Sequence, residues 1–195
     1  MVIQKIRNAT QNKRWLLITV VVVLIIGLLG SYVIWSTGDF GNNNQGTDYK
    51  QQIAAYVEYI ADTEKDLAEK PEDFSLLQQL GDLNAQLGNV YVNDGQTENS
   101  SAAFLKAAEY YEKSLSFLPE GLNEKGQTDI YADIALAYWL ATGHDEQSEE
   151  NFKKGIEISP YDFPINNNYI VYLYSTKGID SAIDVYKRQG LMKQG

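Results

Sequence analysis

Apolar residues recur at alternating spacings of three and four along the chain after residue 48. Two such stripes are Leu76, Leu80, Leu83, Leu87 and Phe104, Ala108, Tyr111, Leu115, Leu118. This spacing puts the apolar side chains on one face of an α-helix. The runs end at helix-breaking residues, namely Pro71, Asp94 with Gly95, Pro119, Gly143, Pro160 and Gly178. The pattern predicts an all-α domain of antiparallel helices joined by short turns.

The N-terminal segment has a different pattern, because residues 15–35 are apolar and carry no charge. A helix of this length spans about 31 Å, which matches the hydrocarbon core of a bilayer. Basic residues precede it, and no acidic residue occurs before Asp39. Basic residues that flank a membrane helix favour the cytoplasmic side. We therefore expect a basic cytoplasmic N-terminus (1–14) and one transmembrane helix (15–35). The domain that follows is expected on the extracytoplasmic side of the cell membrane.

The same segment has a second interpretation, a secretory signal peptide cleaved near the small residues Ser36, Thr37 and Gly38. The apolar stretch exceeds the roughly 7–15 residues usual in such signals, which favours the membrane anchor. Residues 36–48 contain few side chains that could be buried, so we expect them to form a flexible linker.

The charge of the chain is unevenly distributed. It has 16 basic and 26 acidic residues, and four of the basic ones precede Asp39. The remainder therefore carries 12 basic and 26 acidic side chains, a formal charge of −14. A domain with this much negative charge repels the phosphate backbone of nucleic acids, so we expect it not to bind nucleic acid. With no cysteine, the chain also has no thiolate metal ligand and no cysteine nucleophile.

The segment around residues 108–120 resembles the tetratricopeptide repeat family. In that family the second helix of each repeat carries a small residue, an aromatic residue four later, a small residue three after that and a proline five further on. The first copy here is Ala107, Tyr111, Ser114 and Pro119. The second is Ser148, Phe152, Gly155 and Pro160, after a first helix with Tyr131, Ile134, Ala135 and Tyr138. The third is Asn167, Ile170, Val171 and Tyr174, then Gly178, Ala182 and Tyr186.

This resemblance implies a short α-solenoid of three helical hairpins, at 72–119, 128–160 and 162–189, within 72–195. A helix at 49–71 precedes them and is expected to act as a cap. The first hairpin departs from the family, since 26 residues separate Gly81 from Ala107 where the family has about 12. We therefore predict long helices at 72–93 and 101–118, with a tip at 94–100.

The end of the chain is a second departure from the family. Position 189 holds Gln where a small residue is expected, and neither a closing proline nor a capping helix follows. Either the last hairpin docks on something else, or the chain is incomplete.

The resemblance places a ligand groove along the first helices of the repeats. The groove residues are expected to be Gln78, Asp82, Ala85, Leu136, Trp139, Leu140, Val171 and Tyr174. These first helices are expected to hold no Lys or Arg, so the groove lacks the lysines with which some family members clamp acidic tails. We expect a neutral or basic protein or peptide ligand. The alternative is that Trp139 and the tyrosines are core residues.

Nothing in the sequence points to catalysis. His144 is the single histidine, so no histidine cluster for a metal and no catalytic triad is apparent. We expect no enzyme, no metal and no cofactor. Two functions stay open: a membrane-tethered scaffold or assembly factor that binds partner proteins, or a self-associating structural module of the cell envelope, a homo-oligomer without a separate ligand.

Overall fold

The computed structural model describes residues 48–192, with side chains as far as Lys187. Over this range the chain forms α-helices and no strand, which confirms the all-α prediction for this part. None of the helices in the range is long and apolar enough to cross a membrane. The predicted transmembrane helix at 15–35 and the cytoplasmic segment 1–14 lie outside the described residues. The helices are α1 (Tyr49–Glu69), α2 (Phe74–Asn93), α3 (Thr97–Ser114), α4 (Glu124–Leu140), α5 (Asp145–Ile158), α6 (Phe163–Lys177) and α7 (Ile179–Met192).

Several helices begin at a side chain that accepts hydrogen bonds from their free backbone amides. Asp73 Oδ1 accepts from Ser75 N at 2.9 Å and from Leu76 N at 3.1 Å, which caps α2. Asn123 Oδ1 accepts from Gly126 N at 2.8 Å, which caps α4. The second hairpin therefore begins four residues earlier than residue 128, because the cap draws Glu124 and the three residues after it into the helix.

The helices pack in chain order, each against the next, and α6 also contacts α4. Three groups of buried side chains hold them together. The first lies between α1, α2 and α3, the second between α3 and α4, and the third among α4, α5, α6 and α7. Leu77 and Leu80 are fully buried in the first, Ile134 in the second, and Phe152 and Tyr172 in the third. Each hairpin thus buries its apolar stripe against a neighbour, as in a solenoid.

The first hairpin is long because two glycine–aromatic layers stack along it. A β-carbon at Gly88 would lie 2.8 Å from Cε1 of Phe104, and one at Gly81 would collide with the ring of Tyr111. Glycine at both positions lets α2 and α3 approach closely enough to bury both rings. The tip is shorter than predicted, because residues 97–100 form the first turn of α3 and only 94–96 connect the helices.

The third hairpin does not place Tyr186 as the repeat pattern predicts. Tyr111 and Phe152 are buried, whereas Tyr186 is 68% exposed. Only Gly178 separates α6 from α7, and the side chains that bury against α6 are Ala182 and Val185. At about 100° per residue, the buried face of α7 is centred between Ala182 and Val185, and Tyr186 lies about 70° to one side of that centre, where its ring reaches solvent. The prediction of an aromatic residue filling this hairpin at Tyr186 is wrong.

Candidate functional site

The three expected groove residues on α2 differ in how much of their surface is available. Gln78 is partly buried, and its Nε2 donates to Ser114 Oγ on α3 at 2.6 Å. Ala85 is partly buried and packs on the core between α3 and α4. Asp82 is exposed and accepts a hydrogen bond from the Tyr111 hydroxyl at 2.6 Å. A ligand on α2 therefore meets Asp82 first.

The expected groove residues on α4 divide in the same way. Leu136 and Trp139 are partly buried and pack against the third core. The Trp139 ring meets Tyr172 edge-on, with 5.8 Å between ring centroids. Leu140 is exposed at the end of the helix. Trp139 thus contributes to the core, which is the alternative that the sequence left open.

On α6, Val171 is partly buried and Tyr174 is exposed. Across the three first helices the exposed members of the expected set are therefore Asp82, Leu140 and Tyr174. One acidic, one aliphatic and one aromatic side chain can bind an extended chain through a charge, an apolar contact and a ring.

The expectation that the first helices hold no Lys or Arg is wrong. Because α4 begins at Glu124 it includes Lys125, and α6 ends at Lys177. Both are paired: Lys125 Nζ lies 2.6 Å from Asp129 Oδ2, and Lys177 bonds to Glu149. Because both lysines are already paired with carboxylates, they do not offset the negative charge of Asp82.

Asp133 is a candidate site residue that sequence reasoning missed. It is a partly buried carboxyl group on α4. Burial, followed by the negative charges of Asp82 and Asp129, raises the pKa of Asp133 to about 7. A signal was present, since Asp129, Asp133, Leu136 and Leu140 follow each other at spacings of four, three and four and so share one face of α4.

The Tyr111 hydroxyl on α3 is hydrogen-bonded to Asp82 on α2 and lies within the electrostatic influence of Asp133 on α4. Burial, then the charge of Asp133 and the hydrogen bond to Asp82, raise the pKa of Tyr111 above its ordinary value. Tyr111 therefore stays protonated and donates to Asp82. The carboxyl groups of Asp82 and Asp133, from adjacent hairpins, are therefore close enough to repel one another. Such a pair can retain a proton or attract a cationic group of a ligand.

Residues 48–192 contain no group of three His, Asp or Glu side chains placed to hold a metal ion. His144 lies in the turn before α5, where its ring is 5.8 Å from that of Tyr138.

The tetratricopeptide repeat family model matches two segments of the chain, residues 81–114 and 128–162. Each of these two segments is similar to a tetratricopeptide repeat. The first match begins at Gly81 and so aligns Leu87, Gly88 and Tyr91 with the family's first helix and Phe104 with the aromatic position of the second. That register lies one heptad nearer the hairpin tip than the predicted one, and the hairpin contains both layers. The third hairpin lies outside both matches.

No characterised protein matches the sequence as a relative. Among solved structures, the crystal structure of MamA is similar, with 14% sequence identity and a TM-score of 0.36. The similarity covers 78% of this chain and 97% of MamA. A TM-score this low does not establish a shared arrangement of the helices.

Proposed function

We propose that this chain is a non-catalytic scaffold or assembly factor that binds a partner protein or peptide along the first helices of its tetratricopeptide repeats. The observation that carries the proposal is the pair of matched repeats, 81–114 and 128–162. They pack as successive hairpins, α2 with α3 and α4 with α5. Stacked hairpins of this kind form an extended surface that suits a guest chain better than a small substrate.

The charge of this surface favours a ligand with a basic group. Asp82 and Asp133 repel one another, and this repulsion helps to keep a proton on Asp133 near neutral pH. A lysine or arginine side chain between them would replace the repulsion with two attractions and release that proton. The exposed Leu140 and Tyr174 would contact apolar parts of the same ligand. The proposed ligand is an extended or helical segment with at least one basic and one apolar side chain.

We further propose that residues 15–35 anchor the chain in the cell membrane, with residues 1–14 cytoplasmic and the repeats outside. The support is the uncharged apolar stretch and the four cations before it. Anchoring would hold the groove close to partners at the same membrane and raise their effective concentration. A groove of weak individual contacts could then retain a partner.

The test is site-specific photo-cross-linking in membranes of cells that express the full chain. A photoreactive residue replaces Leu140 in the groove, and in the matched control it replaces Tyr59, an exposed residue of α1. We expect a defined membrane or secreted protein to be captured from position 140 and not from position 59. Cross-linking that is equal at the two positions contradicts the proposal.

A second variant tests the role of charge in the same experiment. The double substitution Asp82→Asn and Asp133→Asn keeps the shape of both side chains and removes both charges. We expect it to reduce capture from position 140, because the basic group of the ligand loses both counter-charges. Unchanged capture by a folded double variant would leave partner binding in place and refute the basic ligand.

A further inference from the structure

Helix α7 carries an apolar stripe that stays exposed among the side chains the structure describes, which extend to Lys187. Ile179 is 52% exposed, Ile183 39% and Tyr186 68%. Their spacings of four and three place them on one face of the helix. Ala182 and Val185 lie on the adjoining face of the helix and are buried against α6. We refer to Ile179, Ile183 and Tyr186 as the α7 stripe.

The sequence of α7 is balanced in charge, unlike that of the domain as a whole. Residues 179–188 contain Asp180, Asp184, Lys187 and Arg188, two of each sign, within a chain of net charge −10. Asp180 and Lys187 are both exposed, and neither has an ion-pair partner among the described side chains. The acidic residue comes first along the helix and the basic residue last.

We propose that a second copy of this chain covers the α7 stripe, with the two α7 helices antiparallel about a two-fold axis near Ile183. Asp180 lies three residues before Ile183 and Lys187 four residues after it. In an antiparallel pair, Asp180 and Lys187 of the partner subunit therefore differ in height by only about 1.5 Å, the rise of one residue. The symmetry creates this opposite-charge contact twice.

The charge order also excludes a parallel pair. Parallel α7 helices would set Asp180 beside Asp180 of the partner subunit, and Lys187 beside Lys187 of the partner subunit. Antiparallel helices replace both repulsions with attractions, and their macrodipoles oppose one another favourably. Ile183 then meets its own symmetry copy, and Tyr186 packs beside Ile179 of the partner subunit.

A second copy fits this face better than a lipid surface or a basic protein. The acidic domain and Asp180 repel anionic headgroups. A basic protein would be repelled by Lys187 at this face, and it would find abundant acidic surface elsewhere on the domain. Two copies of this acidic domain repel one another. The balanced charges of α7 make it a segment where two copies can meet without adding to that repulsion. The proposal does not depend on ligand binding by the groove.

The α7 stripe is small, so the contact should be weak in dilute solution and stronger where copies are concentrated at one membrane. The absence of cysteine from the chain provides a clean probe, because a single introduced cysteine is the only thiol. The full chain carrying Ile183→Cys is treated with a short bismaleimide in membranes at low ionic strength. We expect cross-linked dimers, because position 183 lies next to its own copy across the axis.

The matched control carries Tyr59→Cys on α1, which is more exposed than Ile183 and should nevertheless give little dimer. In the Ile183→Cys background, Asp180→Lys or Lys187→Asp alone should lower the dimer yield by about fivefold or more, since each sets like charges together. The double reversal should restore the yield. Ile183→Cys dimers no more abundant than those of the control would overturn the proposal. So would cross-links between positions 183 and 59 in a mixture of the two chains, or a double reversal that fails to restore the yield.

Discussion

Replacing Asp133 with asparagine should stabilise the protein at alkaline pH. The carboxyl group is partly buried beside Asp82 and Asp129, and its pKa is raised to about 7. Ionising it in the folded protein therefore costs free energy that the unfolded chain does not pay. Asparagine has nearly the same shape and carries no charge, so Asp133→Asn removes that cost.

The magnitude follows from the size of the pKa change. A rise from 3.8 to about 7 corresponds to about 4 kcal/mol at most, at about 1.4 kcal/mol per pKa unit. Solvent reaches part of the side chain, and the asparagine amide must find its own hydrogen bonds, so the realised gain is smaller. We expect the free energy of unfolding at pH 8 to rise by about 1–3 kcal/mol.

The gain should depend on pH in a direction that linkage fixes. The folded-state pKa is raised, so between about pH 4 and pH 7 the unfolded chain loses this proton while the folded protein retains it. The stability of the wild-type protein therefore falls across that window and the contribution of Asp133 is constant above it. The difference between variant and wild type should be small at pH 4, should grow up to pH 7 and should then level off.

Urea denaturation of the full chain in a mild non-ionic detergent, followed by circular dichroism, measures this difference. Asp62→Asn on α1 is the matched control, since Asp62 is exposed and its ion pair with Lys65 is a surface pair that contributes little stability. It should change stability little at any pH. An Asp133→Asn protein no more stable than wild type at pH 8, or equally stabilised at pH 4, would refute the argument that Asp133 is held close to other negative charges.

Two further substitutions test the packing and the ion-pair network. Gly88→Ala should destabilise the first hairpin by about 1–2 kcal/mol in urea denaturation, because the added methyl group meets the Phe104 ring, whereas Asn89→Ala one residue away should be neutral or slightly stabilising. Glu149→Gln should cost about 1 kcal/mol at pH 7, and more than Glu150→Gln, whose side chain is more exposed. Burial alone would raise the pKa of Glu149, but hydrogen bonds from two lysines lower it to about 2. The cost should therefore be complete above pH 4.5 and vanish as pH falls through 2, and a cost that persists below pH 2 would contradict the assignment.

The sequence was sufficient to predict the helical hairpins and the lengthening of the first one. The apolar spacing of three and four identifies the helices, and the helix-breaking residues identify their ends. The surplus of residues between Gly81 and Ala107 is accounted for by added turns on α2 and α3. The sequence was insufficient at the last hairpin, where the repeat spacing predicted a buried aromatic residue at Tyr186 and the side chain is exposed. Which residues of α7 face α6 depends on the turn at Gly178, and repeat spacing does not encode that turn.

The candidate site was less predictable than the fold. Asp82 was expected on the groove and is exposed on α2, but Asp133 was missed because a lone acidic residue in a helix is usually solvated. Its burial arises from the packing of α3 against α4, a tertiary effect. Trp139 shows the converse: its position in the repeat suggests a groove residue, and its contact with Tyr172 on α6 draws it into the core.

The lengthened hairpin and the acidic site have a common cause. The family match begins at Gly81, so an ordinary repeat would have Gly88 and Phe104 as its close-packed layer. The added heptad on each helix creates a second layer, Gly81 with Tyr111, nearer the base. The Tyr111 ring is buried there, its hydroxyl reaches Asp82, and the same layer faces Asp133 on the next repeat. The departure from the family pattern thus builds the cluster of charge that the proposed ligand would neutralise. A hairpin of ordinary length would lack that layer.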